Sequence, residues 1–285
     1  MKTVAMLQAI ALLLSAPGAA VGQELGVLGL GSNVVDKFYR LRGEGGMKAV
    51  MGEKGYFASD GEVVGGVTLN HLSWARALGV PTALAALQGE DEAGKSIRSA
   101  MKEHGISDGA LAVRPGVSSS VSHVLLEESG GRTILMAPHS TSALTRSEVD
   151  ALFVPSLDAG VRLVTSEVSQ VPLSGVAALL EGAHARGIPT LLDVDVPPSI
   201  AAGAAKLCDQ PADVLALAKT PTVLKTTRNG AIELLALAGE KKPATGLGEL
   251  AKQLRKVLGV RLVAVTDGEH GGALASESGA VAEQK

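Results

Sequence analysis

Gly65-Gly66-Val67-Thr68-Leu69-Asn70-His71-Leu72-Ser73-Trp74-Ala75-Arg76-Ala77-Leu78-Gly79 sets a glycine pair directly ahead of a helical period, with Leu69, Leu72, Ala75 and Leu78 on one face. Without Cβ atoms, two glycines let the backbone come closer to a neighbour than any side chain permits. The segment therefore reads either as a tight turn before a core helix or as bare backbone on which a small ligand rests beside a helix N-terminus. The rest of the chain has to choose between them.

Working outward, short apolar runs alternate with amphipathic stretches from Glu24 onward, the pattern of a parallel sheet covered by helices. The pattern predicts strands over 25–29, 82–87, 161–165, 190–194, 222–225 and 262–266. Helical spacing predicts helices over 69–78, 93–104, 173–186, 231–238 and 247–258. Gly187 and Gly259, each after a helix and before a strand, read as C-caps. Right-handed crossovers then put helices on both faces, so the expected fold is α/β, a three-layer αβα sandwich with a mostly parallel sheet. Two segments interrupt the alternation. The runs 121–127 and 132–136, joined through Glu128-Ser129-Gly130-Gly131, read as a hairpin, and 36–64 is glycine-rich and polar. Strands inserted at 36–64 and 117–137 are expected to form a small β lid.

Composition narrows the functional classes. Of 285 residues, 46% are hydrophobic but only 2% aromatic, so the core must be made of Ala, Val and Leu in close helix–sheet contact. A net charge of -3 with no Lys/Arg block argues against a nucleic-acid partner. Cys208 is the only cysteine, which excludes an intramolecular disulfide and a cysteine-based zinc site. None of the six histidines has a second histidine or acid at metal-ligand spacing. Met1 to Gly22 combine Lys2, an apolar stretch and small residues ending in Ala20-Val21-Gly22, a signal-peptide-like leader. It implies entry to the secretory pathway or an organelle, with a cytoplasmic location and an ordinary N-terminal helix as the alternative. Its apolar stretch is shorter than the ~20 residues that span a bilayer, so no stable membrane span is expected once the leader is removed.

Three motifs compete for a phosphate ligand. Gly89-Glu90-Asp91-Glu92-Ala93-Gly94-Lys95-Ser96 matches the P-loop pattern, in which backbone N–H groups and Lys95 would hold a nucleotide. Glu90, Asp91 and Glu92 would repel a polyphosphate at contact distance, where salt screens little. Gly29-Leu30-Gly31-Ser32-Asn33-Val34 lacks the third glycine of a dinucleotide fingerprint. Val263-Ala264-Val265-Thr266-Asp267-Gly268-Glu269-His270-Gly271-Gly272 ends a strand at Thr266 and keeps side chains off the following edge; it reads as a nucleotide rest or as a hairpin turn.

The order of Asp36 after a first strand, Gly65-Gly66 with Asn70 opening a helix, Gly89-x-Asp91-x-x-Gly94, a hairpin and Thr266-x-Gly268 resembles the ribokinase-like, or PfkB, carbohydrate kinase family over roughly Leu25 to the end. The resemblance implies ATP-dependent phosphorylation of a sugar or nucleoside hydroxyl with Mg2+. It implies that Asp36, Gly65, Gly66 and Asn70 bind the acceptor and that Glu167 helps position it. Lys225, Thr266, Gly268 and Gly271 would line the ATP site. Glu233 would organise magnesium through water, as the acid of a strand-end Asn-x-x-Glu in which Gly230 replaces the asparagine and Asn229 stands one position early. A homodimer through the lid is also implied. On this reading Gly89 to Gly94 leads into an outer helix, whose N-terminus favours nearby carboxylates.

The family's Gly-Ala-Gly-Asp segment supplies backbone N–H groups for the transferred phosphate and the aspartate that takes the hydroxyl proton. No such sequence occurs in the 285 residues; Gly279-Ala280 is followed by Val281. The expectation is a C-terminally truncated kinase domain at 23–285, inactive in this form, with a sugar- or nucleoside-binding protein that does not phosphorylate as the alternative.

Overall fold

The computed structural model describes residues 25–43, 46–52 and 54–284; the leader read at 1–22 lies outside them. Strand β1 (Val27–Leu30) lies inside a nine-stranded sheet, with β4 (Thr82–Gly89) on one side and β8 (Leu163–Glu167) on the other, all parallel. Beyond β4 comes β5 (Leu111–Arg114). Beyond β8 follow β9 (Thr190–Val194), β10 (Val223–Thr227) and β11 (Leu262–Thr266), again parallel, then the antiparallel β12 (Gly272–Ser276) and β13 (Val281–Gln284).

Alternation along each strand feeds two cores. Leu28, Val164, Leu192 and Leu224 point into one; Val27, Leu163, Leu191 and Val223 point into the other. On the first face lie α3 (Leu173–His184), α4 (Pro211–Ala218), α5 (Arg228–Leu237) and α6 (Leu247–Leu258); on the second lie α1 (Val67–Ala77) and α2 (Glu92–His104). This is the expected three-layer sandwich. Gly259 at φ 75 is the left-handed C-cap that its sequence position implied.

The lid is a separate four-stranded sheet in the order β3 (Phe57–Gly65), β2 (Val34–Leu41), β6 (Val121–Leu126), β7 (Arg132–Ala137). Its first two strands come from the 36–64 insertion and its last two are the predicted hairpin. Antiparallel pairing of Val34 with Gly65 anchors the lid to the loop after β1 and to the start of α1. Strands β5, β12 and β13 and helix α4 lie outside the sequence expectations.

Candidate functional site

The glycine pair lies where the strand order reverses about β1, a place where open α/β sheets leave a crevice beyond their carboxyl ends. Gly66 has φ 110 and caps α1 without a side chain. A Cβ there would come within 2.5 Å of the Ser32 carbonyl oxygen, so only glycine allows the two backbones to meet. The hydroxyl of Ser32 accepts the Val67 N–H at 2.7 Å, satisfying one of the orphan donors of the helix start. Gly65 has another neighbour: a Cβ on it would lie 2.9 Å from an Asp36 carboxylate oxygen.

Above this floor is a pocket of about 370 Å³. Asp36, Gly66 and Asn70 line it together, and Gly65 is not among its lining residues. The lid strands alternate, and one face supplies the roof: Phe38 from β2, Val124 from β6, and Ile134 and Met136 from β7. Arg132, on the same face, is exposed. Asp36 accepts a hydrogen bond from the Ser122 hydroxyl, which fixes the carboxylate against β6. A third wall was absent from the sequence reading: Ser169 and Gln170 after β8, and Asp195 after β9.

Glu167 is fully buried beneath the pocket rather than among its lining residues. Its carboxylate accepts the Ser32 N–H at 2.7 Å and the Thr68 hydroxyl at 3.2 Å, tying β8 to the loop after β1 and to α1. Burial, reinforced by the nearby Asp195 and Asp193, pushes its carboxyl up to about 8 against the bonds from Ser32. Asp193 is buried too, but the Lys225 ammonium donates to it at 2.6 Å and His71 Nε2 lies 3.5 Å away. Burial alone would raise Asp193; Lys225 and His71 together outweigh it and keep the carboxyl below its usual range. Lys225 is held charged by the same contact, against the effect of its own burial. Its ammonium is thus committed to the sheet interior.

Thr266, Gly268 and Gly271 share the carboxyl edge of β11 and the turn into β12. Gly268 at φ 56 and Gly271 at φ 92 occupy conformations that favour glycine, and a Cβ on Gly268 would meet only open space. The segment is also the connection of an antiparallel pair, Thr266 facing Gly272, as the hairpin-turn reading expects. Arg228 holds the turn through Asp267 at 2.7 Å. Strands β9 and β11 are two places apart in the sheet, so this edge lies roughly 10 Å from the wall built by Asp195.

Glu233 lies elsewhere. Its two oxygens accept the N–H and hydroxyl of Ser199, each at 3.0 Å, closing the start of the short helix Pro198–Ala202. Strand β10 ends at Thr227, so the position three residues past the strand end is Gly230, where a Cβ would come within 2.3 Å of the Thr226 hydroxyl. The sequence alignment of Glu233 with a strand-end acid is therefore one helical turn out of place. Magnesium needs oxygen ligands, commonly one or two carboxylates beside the substrate phosphates. The one acid assigned to it, Glu233, is occupied by Ser199, so that residue does not fit the ion.

The P-loop reading fails on geometry. Asp91 is the N-cap of α2: one carboxylate oxygen accepts the Gly94 N–H at 2.9 Å and the other the Ser119 N–H at 2.8 Å. A phosphate would need those donors. Burial works to raise the Asp91 carboxyl, but the bonds from Ser119 and Gly94 overcome it and hold the group below its usual range. Lys95 points to solvent and pairs with Glu92 at 2.6 Å.

A lidded pocket at the switch point of a mostly parallel sheet, beside a glycine-lined strand edge, is the arrangement of a ribokinase-like fold. Residues 49–285 match the pfkB family carbohydrate kinase, and the chain belongs to that family. Asp36 precedes the matched segment. Among solved structures, the chain is similar in fold to a putative ribokinase II from E. coli in complex with ATP and Mg2+, with TM-score 0.69, 14% identity, and coverage of 92% of this chain and 78% of that one. It is similar to Arabidopsis thaliana ribokinase complexed with ribose and ATP, with TM-score 0.65, 18% identity and coverage of 92% and 78%. It is also similar to Burkholderia thailandensis nucleoside kinase in complex with inosine, with TM-score 0.65, 15% identity and coverage of 90% and 75%. No curated protein matches the chain. No described helix is long and apolar enough to cross a membrane.

Proposed function

We propose that this chain is a sugar- or nucleoside-binding carbohydrate kinase domain whose acceptor rests between Asp36, the Gly65-Gly66 backbone and Asn70, with the nucleotide along Thr266, Gly268 and Gly271. The observation that carries the reading is the lidded pocket: residues from β2 and α1, which are far apart in function unless a ligand joins them, line one cavity of about 370 Å³. A carboxylate and an amide above bare backbone suit a donor-rich ring, while the apolar roof covers its C–H face and excludes water.

In the family's reaction ATP supplies the phosphoryl group, and the enzyme contributes position and charge stabilisation. Asp36, fixed by Ser122, orients an acceptor hydroxyl. The hydroxyl proton needs an acceptor in turn; the Gly-Ala-Gly-Asp sequence does not occur in residues 1–285, and among the described residues the acid assigned to magnesium, Glu233, is taken up by Ser199. We therefore read this polypeptide as acceptor-binding without turnover. Exposed Phe57 and Leu135 on the lid's outer face favour a second copy of the chain as the macromolecular partner.

The test is calorimetric titration with D-ribose and inosine, alongside a sugar-dependent ATPase assay. Binding of either compound, lost in Asp36→Ala, with no ATP turnover is the expected result. Turnover abolished by Asp36→Ala would overturn the inactive reading; no binding of either compound would overturn the acceptor pocket.

A further inference from the structure

The lid's inner face has a polarity that runs along its strands. Cross-strand pairing sets its side chains in rows. In the row nearest the base, where Val34 pairs with Gly65, Asp36 of β2 stands opposite Ser122 of β6, and Ser122 opposite Met136 of β7. The next row is Phe38, Val124 and Ile134, and the one nearest the tip is Arg40, Leu126 and Arg132. Residues two apart on a strand share a face, so all three rows look the same way. That face is acidic at the base, apolar in the middle and cationic at the tip. Its two arginines are not equivalent. Arg40 donates to Asp60 at 2.7 Å, which neutralises it. Arg132 lines the pocket, is exposed, and makes no hydrogen bond or ion pair among the described residues. It is also the one cation among the described lining residues, the other two charged ones being the acids Asp36 and Asp195.

We propose that the acceptor carries a phosphate monoester at the end remote from Asp36, and that Arg132 on the lid tip reads it. The proposal rests on the acceptor-pocket reading and names its substrate class, a phosphorylated sugar or nucleoside in preference to the neutral parent. The orientation follows from the rows. Hydroxyl donors belong beside the Asp36 carboxylate, the C–H face of the ring lies under Phe38, Val124 and Ile134, and an anion is attracted only at the tip. Arg132 stands four residues from Met136, roughly 13 Å along the strand. A lone sugar ring against Asp36 leaves that end of the cavity unfilled, whereas an ester on its far side extends towards the guanidinium. Phosphate fits better than carboxylate here. At an exposed cation a single opposing charge gains little. A phosphate monoester brings about two charges and three acceptor oxygens to the planar fork of donors.

The readout is a ratio of affinities, which a merely structural role of Arg132 would not move. Calorimetric titration compares D-ribose with D-ribose 5-phosphate, and inosine with inosine 5′-monophosphate, at low ionic strength. For whichever parent binds, the ester should bind the unsubstituted chain roughly tenfold more tightly. In Arg132→Gln that advantage should fall to near one. Added sodium chloride should narrow it in the unsubstituted chain, since the pair is exposed and screened, and this arm decides alone if the variant fails to fold. An ester that binds no more tightly than its parent, an advantage that survives Arg132→Gln, or one indifferent to salt overturns the phosphate reading and leaves the pocket intact. No binding of either parent overturns the pocket and the proposal together.

Discussion

Glu167 shows how a residue can support a pocket without lining it. Its acidic nature and its place at the end of a strand are legible in the sequence, but its burial is not, and burial changes what it does. It holds Ser32 and Thr68, and through them the floor on which Gly66 sits. With its carboxyl raised from 4.5 to about 8, the folded state keeps a proton that the unfolded state releases across that interval. Stability contributed by the protonated group is therefore lost as pH rises through the window. Glu167→Gln should remove this loss while keeping both contacts, since its amide oxygen can accept from Ser32 and its amide nitrogen can donate to Thr68. Relative to the unsubstituted chain, the variant should gain stability as pH rises from about 5 to 8, with a slope approaching about 1.4 kcal/mol per pH unit. Urea denaturation across that range measures it, and a variant that tracks the unsubstituted chain in parallel would show that Glu167 is ionised in the folded protein.

At the scale of the element, the start of α2 carries the chain's best match to a phosphate-binding pattern and has none of its geometry. The Asp91 carboxylate already satisfies the Gly94 and Ser119 N–H groups, joining the helix to the strand that enters the lid. Asp91→Ala should cost about 1–2 kcal/mol in urea denaturation, as lost N-caps do. Lys95→Ala, which removes an exposed pair with Glu92, should change stability by less than about 0.5 kcal/mol and leave any nucleotide binding as it was. A Lys95→Ala variant that loses nucleotide binding would restore the P-loop reading. The same scale explains what could be read beforehand. Central strands announce themselves because both their faces are buried, giving unbroken apolar runs such as Leu84 to Leu87. Strands β5 and β13 are short and border the sheet, so their mixed residues carry no clear period. Helix α4 is apolar at Val214, Leu215, Leu217 and Ala218, which hides helical periodicity. The first wall of the pocket was legible only through the family resemblance, because the glycine pair by itself reads equally as a turn. The wall of Ser169, Gln170 and Asp195 was not, because only the parallel pairing of β8 with β9 brings those loops together.

For the whole molecule, the open question is how the lid is finished. Its inner face is spoken for by the pocket. On its outer face Tyr39 stacks on His123 with ring centroids 5.5 Å apart and meets Phe57 edge-on at 4.9 Å, with Leu135 directly opposite His123 across the ladder. Phe57 and Leu135 are more than half exposed, at 56% and 52%. Strands β3 and β7 also border the lid as unpaired edges, which invite further pairing. A copy of the same sheet offers the complementary apolar face and would bury these side chains in a two-fold interface, whose stability requires upwards of about 1,000 Å² in total. Light scattering after size exclusion should therefore give a mass of two chains. Leu135→Asp should convert the protein to a single chain with an unchanged far-UV circular dichroism spectrum, because the side chain faces outward and lies away from both cores. A single-chain mass for the unsubstituted protein would end the dimer reading, while a dimer that survives Leu135→Asp would move the interface off the lid's outer face.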